Sequence, residues 1–231
     1  MLVAFAGIQG RMGGVPAFEF ANLTSDLPAH RVFLRDPGRL YFQRGVPGAG
    51  GSALEVADFL RAHRDRLGVR RVVTLGNSVG GYAAVLFGAL LDADEAHAIA
   101  TKTSIRGADD FHDVRIFERL RDEGRVPAEF ADLREVLLSR PTRRLQVHLH
   151  YPGGHALDTR QAWRLDRVPG VHLHRYPWPD HRLVRVLRDR GFLARFVRDA
   201  LTGRSSRHAW TVRWAALRLR LVPRRAAAAE D

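Results

Sequence analysis

The sequence predicts an α/β protein: a mostly parallel, six-stranded sheet with helices on both faces. Three observations carry this. Short apolar, β-branched runs alternate with longer runs of helical periodicity, the pattern of successive strand–helix units. Glycine, proline and aspartate cluster between these runs and mark turns. The length of 231 residues with 45% apolar content suits one α/β domain with a short appendage.

Along the chain, Leu2 to Ala6 reads as a buried strand, and Arg31-Val32-Phe33-Leu34 as a second, ended by Asp36-Pro37-Gly38. Ala53 to Leu67 is a helix, with Ser52 at the N-cap position and Gly68 as its stop. Val72 to Leu75 is the third strand and Gly80 to Leu91 the helix behind it. Ala96 to Ala100, Leu145 to Tyr151 and Val171 to Tyr176 complete six strands. One helix over residues 181–201 closes the domain. Residues 105–140 form an insertion with helical patterns around Phe111-Val114-Phe117-Leu120 and Phe130-Leu133-Val136-Leu137. The domain therefore runs over 1–203, with a basic segment over 204–231 after it.

Composition excludes several classes. There are no cysteines, so no disulfide framework, thiolate metal site or cysteine nucleophile exists. The net charge is +12, but Lys102 is the only lysine, and an arginine bias of this kind arises from coding composition without a nucleic-acid partner. No helix-turn-helix, zinc finger or aromatic-basic platform accompanies the charge, so no nucleic-acid binding is expected. Leu2-Val3-Ala4-Phe5-Ala6 lacks a basic flank and is too short for a membrane span, so the expected location is cytoplasmic.

The chemistry concentrates at Gly76-Asn77-Ser78-Val79-Gly80-Gly81. This is G-x-S-x-G between an apolar strand and a helix, the context in which a strained turn lifts a serine above the sheet. Here the chain resembles the α/β-hydrolase superfamily, over roughly residues 1–200. The six strands match that fold's third to eighth, and the usual first two are missing, so one sheet edge is expected to be covered differently.

The resemblance implies a role for several residues. Ser78 matches the nucleophile. The acid lies after the penultimate strand, where Asp158 sits in a loop ahead of a helix at Thr159-Arg160-Gln161-Ala162; Asp158 could instead serve as that helix's N-cap. His181, after the last strand in Pro177-Trp178-Pro179-Asp180-His181, matches the base, and Asp180 is the second candidate for the acid. Oxyanion donors are expected from the backbone N–H of Val79 and from the loop after the first strand, where Ile8 matches the donor position and Gln9 neighbours it. That loop lacks the histidine often found before the donor. Its glycines also depart from G-x-G-x-x-G and no Walker lysine comes after them, which argues against a nucleotide site. An insertion between the fourth and fifth strands commonly forms a lid; a plain pair of connecting helices is the equal alternative. Arg11, Phe18, Arg106 and Phe111 are candidate pocket residues.

The expected activity is hydrolysis of an ester or thioester through an acyl-enzyme, on a small-molecule acyl substrate and without a cofactor. Acyl transfer with the same residues and a non-catalytic binding module are the alternatives. His148 and His150, and His172 and His174, form H-x-H pairs whose side chains share a strand face. Each pair offers two metal ligands, but the sequence shows no third, so no metal site is expected. In the tail, Trp210, Trp214, Leu217 and Leu221 fall on one helical stripe flanked by Arg207, Arg213, Arg218 and Arg220, which makes residues 204–225 a candidate contact with a membrane surface or another protein. Pro223 should end that helix, and Ala226 to Asp231 reads as a disordered terminus.

Overall fold

The structure is a computed structural model that describes residues 1–7, 20–110, 114–122, 124, 130–140 and 144–202. The loop holding Ile8, Gln9, Arg11 and Phe18, the residue Phe111 and the whole tail from residue 203 lie outside the described residues.

Six strands form one sheet: β1 (Leu2–Phe5), β2 (Arg31–Leu34), β3 (Val73–Asn77), β4 (Glu95–Ile99), β5 (Gln146–Pro152) and β6 (Val171–Tyr176). All neighbours pair in parallel, in the order β2-β1-β3-β4-β5-β6. The chain moves outward from β1 to β2, then returns to β1's other side with β3. This reversal is a topological switch point, where adjacent loops part and leave a crevice at the strands' C-terminal ends. β1 is buried along its length, which is why it reads as an unbroken apolar run.

Helices cover both faces. On one, α1 (Ala53–Arg66) and α2 (Val79–Leu91) pack with Val3, Phe5, Ala96, Ala98, Val147 and Leu149. The Ser52 hydroxyl caps α1 by accepting from Glu55 N. Every residue of α2 is buried, so this helix is apolar all round rather than striped. Fully burying a side chain such as Leu86 or Phe87 is worth about 1.5–3 kcal/mol. On the other face, α6 (Leu183–Asp189) and α7 (Leu193–Leu201) pack with Leu2, Ala4, Leu75 and Ile99.

The expected single helix over 181–201 is thus two helices. Gly191 between them has φ +73°, a left-handed conformation that ends α6 and turns the chain before α7. The insertion contains α3 (Val114–Asp122) and α4 (Leu133–Ser139). Its second half belongs to the core: Phe130, Ala131, Leu133 and Val136 are buried in the main cluster, and the buried Tyr82 hydroxyl donates to the Phe130 carbonyl. Ile105 N donates to Ala131 O (2.9 Å) and Leu133 N to Thr103 O (2.8 Å), which ties this half to the strand ends. Arg106, a pocket candidate, is half-exposed and paired with Glu135 of α4.

Candidate active site

Ser78 links β3 to α2 with φ +54° and ψ −117°, a conformation a side chain rarely adopts. Such strain persists only where surroundings enforce it. Ser78 N donates to Ile99 O of β4 (2.9 Å), and Thr101 Oγ1 donates to Ser78 O (2.8 Å). The flanking glycines are required by close approach. A Cβ on Gly76 would lie 2.0 Å from Gly80 O, and one on Gly80 would lie 2.1 Å from Phe5 O. Strand, helix and β1 backbone therefore meet at van der Waals limits around the turn, and Ser78 is partly exposed at the sheet's C-terminal edge. The Ser78 side chain does not cap the N-terminus of α2. Its first N–H groups, Val79 foremost, start at the serine, where a helix end favours negative charge.

Parallel strands carry the loops after β5 and β6 to that same edge. His181, five positions after β6, places Nε2 3.1 Å from Ser78 Oγ across 103 residues of sequence. Its Nδ1 lies 3.0 and 2.9 Å from Asp158 Oδ1 and Oδ2. Asp158 is buried, its side chain 3% exposed, whereas the His181 side chain is 33% exposed. Asp158 therefore lies on the inner side and Ser78 can meet a ligand from solvent.

Of the two aspartates, Asp158 is the one that lies against His181. Asp180 accepts from Arg182 N (2.7 Å) and pairs with its guanidinium (3.1 Å), which holds this carboxyl below the usual range. Its side chain is thereby committed to the start of α6. Asp158 is not in a loop, as expected from sequence, but in the first turn of α5 (Ala156–Trp163). Nor is it the N-cap: His155 holds that position. The helix starts three residues earlier than expected, at Ala156.

His155 is a site residue that sequence reasoning missed. Its Nδ1 lies 2.8 Å from Asp158 Oδ2 and 3.3 Å from Asp158 N. One nitrogen cannot donate to the first and accept from the second. The shorter contact assigns a proton to Nδ1, donated to the carboxylate. The Asp158 carboxylate then lies between two imidazoles, whose ring centres are 6.0 Å apart. Lys102 lies three residues beyond the end of β4. Its Nζ donates to the Asp110 carbonyl, and burial lowers its pKa to about 8 although Asp110 and Asp158 pull the other way. The only signal for His155 in the sequence was position: it precedes a helix.

No family model and no curated protein sequence matches this chain. Solved structures do. A chain of the Glycosylation Associate Protein (Gap123) complex from Streptococcus agalactiae superposes with a TM-score of 0.56 at 14% identity, over 85% of this chain. This chain spans only 41% of that one's length. Mouse α/β hydrolase domain-containing protein 10 superposes with a TM-score of 0.53 at 17% identity, over 87% of this chain and 89% of that one. Sheet order, the strained turn at Ser78 and these likenesses lead to one conclusion: this chain has the α/β-hydrolase fold.

Proposed function

We propose that the protein is a serine hydrolase that cleaves an ester or thioester through an acyl-enzyme. The observation that carries this is the hydrogen-bonded line from Asp158 through His181 to Ser78, which ends on a serine held at positive φ. A serine hydroxyl is a weak nucleophile until a base takes its proton. In this reading His181 Nε2 receives that proton as Ser78 Oγ attacks the acyl carbon. Asp158 keeps the Nδ1–H tautomer and stabilises the imidazolium that forms. The carbonyl oxygen becomes an oxyanion, and the Val79 N–H at the start of α2 is the donor that faces it. Ile8 and Gln9 are the proposed source of the second. His181 then returns the proton to the leaving alcohol or thiol, and the same base activates water to release the acid.

Transfer to an acceptor other than water would use the same groups. A purely binding role leaves the strained serine and its aligned base without purpose. The test is labelling by a fluorophosphonate, then a panel of p-nitrophenyl esters and acyl thioesters of increasing chain length. Wild type should be labelled at Ser78 and Ser78→Ala should not. Equal labelling of both proteins would remove Ser78 from the chemistry.

A further inference from the structure

The sheet face opposite α2 carries an unusual row of side chains. Parallel pairing sets His97 of β4 beside His148 of β5, and His148 beside His172 of β6. One level up, His150 pairs with His174. In-register neighbours on parallel strands are separated by one inter-strand spacing of about 4.8 Å. The rings accordingly stack: centroids are 4.8 Å apart at 8° for His97 and His148, and 4.6 Å at 10° for His150 and His174. Glu95 shares the face two residues before His97. Its Oε2 lies 3.0 Å from His97 Nε2 and 3.9 Å from His148 Nε2, and the three atoms are all within 4.8 Å of one another.

We propose that Glu95, His97 and His148 form a binding site for one zinc-class divalent cation that bridges β4 and β5. Tetrahedral zinc with bonds of about 2.0–2.1 Å holds neighbouring ligand atoms about 3.3–3.4 Å apart. The two carboxylate–imidazole distances bracket that value. Two imidazoles and one carboxylate suit zinc and its d-block neighbours and not calcium or magnesium, which take oxygen.

The surroundings orient each ligand. Arg71 Nη2 holds Glu95 Oε1 at 2.7 Å, so Oε2 is the oxygen turned to the histidines. His148 Nδ1 lies 3.0 Å from His174 Nε2. His97 Nδ1 lies 3.5 Å from His150 Nε2, and His150 Nδ1 lies 3.2 Å from the Tyr176 hydroxyl. Without a cation, the 3.0 Å contact to the Glu95 carboxylate, which only accepts, puts the His97 proton on Nε2. With a cation bound, His97, His148 and His150 each donate from Nδ1, to His150, His174 and Tyr176, which turns the Nε2 lone pairs of His97 and His148 to the cation. Outer hydrogen bonds of this kind are how metal-bound histidines are fixed. His97 is fully buried and His148 nearly so, so the cation would be largely enclosed, with water as the fourth ligand.

The site is separate from the serine. Glu95 is four residues below Ile99, whose carbonyl binds Ser78 N, which at about 3.3 Å per residue is roughly 13 Å down the sheet. It stands whether or not the protein is a hydrolase. A second group with metal-ligand spacing, His155, Asp158 and His181, lies at the serine and must be told apart.

The experiment uses untagged, chelator-stripped and dialysed full-length protein titrated with zinc chloride in a calorimeter. X-ray absorption at the zinc edge then reads the ligand shell. The expected result is one equivalent of zinc in a shell containing two imidazoles, unchanged in Asp158→Asn. Affinity should fall in Glu95→Gln and in His148→Gln by more than the roughly 10–100-fold typical of lost outer-shell partners. Absence of stoichiometric binding overturns the proposal, as does binding that survives both sheet variants or disappears in Asp158→Asn. If circular dichroism shows that the sheet variants do not fold, the double variant His155→Gln with His181→Gln decides: one equivalent of zinc in a shell of two imidazoles supports the site and no binding rejects it.

Discussion

Replacing Gly80 by alanine puts a methyl group into the backbone of β1. Its carbon would lie 2.1 Å from Phe5 O, 2.8 Å from Phe5 C and 3.0 Å from Ala6 C. Ordinary contact begins at 3.4 Å, so α2 and β1 must separate by about 1.3 Å along that line. Backbone on both sides leaves no side chain to rotate away. Ser78 is two residues before Gly80, on the same turn, and moves with it. Its Oγ is 3.1 Å from His181 Nε2, already near the upper end of hydrogen-bond reach. A displacement of about 1 Å at a reacting group costs on the order of 100-fold in rate. The predicted effect of Gly80→Ala is therefore a fall of about two orders of magnitude in the rate of fluorophosphonate labelling, measured on protein that circular dichroism shows to be folded. Overpacking should also lower stability by about 1–3 kcal/mol. Gly107→Ala is the control, since nothing lies within 4 Å of its added carbon. Folded Gly80→Ala that labels within about twofold of wild type would refute the claim that this close approach positions the nucleophile.

Two other predictions test the acid and the histidine face. Asp158→Asn should lower kcat by orders of magnitude while Asp180→Asn, whose carboxylate serves Arg182, leaves it near wild type; the reverse ranking in steady-state ester hydrolysis would move the acid to Asp180. Burial, with the neighbouring imidazoles of His97, His174 and His172 acting in the same sense against Glu95, lowers the His148 pKa to about 2. The unfolded chain takes up this proton as pH falls below about 6.5 and the native state does not, so stability present above pH 6.5 is lost toward lower pH. The loss from His148 alone is about 2 kcal/mol at pH 5. Urea unfolding at pH 7 and pH 5 with EDTA present should show this drop, and His148→Gln should reduce it; equal wild-type stability at the two pH values would contradict the burial argument.

Much of this architecture is local and so was legible in the amino-acid order. The strands are short runs rich in apolar residues, all but β4 closed by glycine or proline, and β6 over Val171–Tyr176 lies where the pattern puts it. The elbow was readable because strand, turn and helix lie within twenty residues, and because backbone contacts at Gly76 and Gly80 admit no other residue. His181 was readable as the residue ahead of the closing helices. Other features depend on where side chains point after the chain has packed. Asp158 and Asp180 both precede or open a helix near a strand end, and only the turn of Asp180 toward Arg182 separates them. Gly191 lies within a stretch of helical periodicity, and its left-handed backbone, not the apolar pattern, breaks α6 from α7. The H-x-H pairs showed two ligands each, but the third and fourth neighbours come from Glu95 and His97, some fifty residues away. No local period links β4 to β5 across the insertion between them. Strand order and register, decided by burying both faces of the sheet at once, bring those imidazoles to one inter-strand spacing.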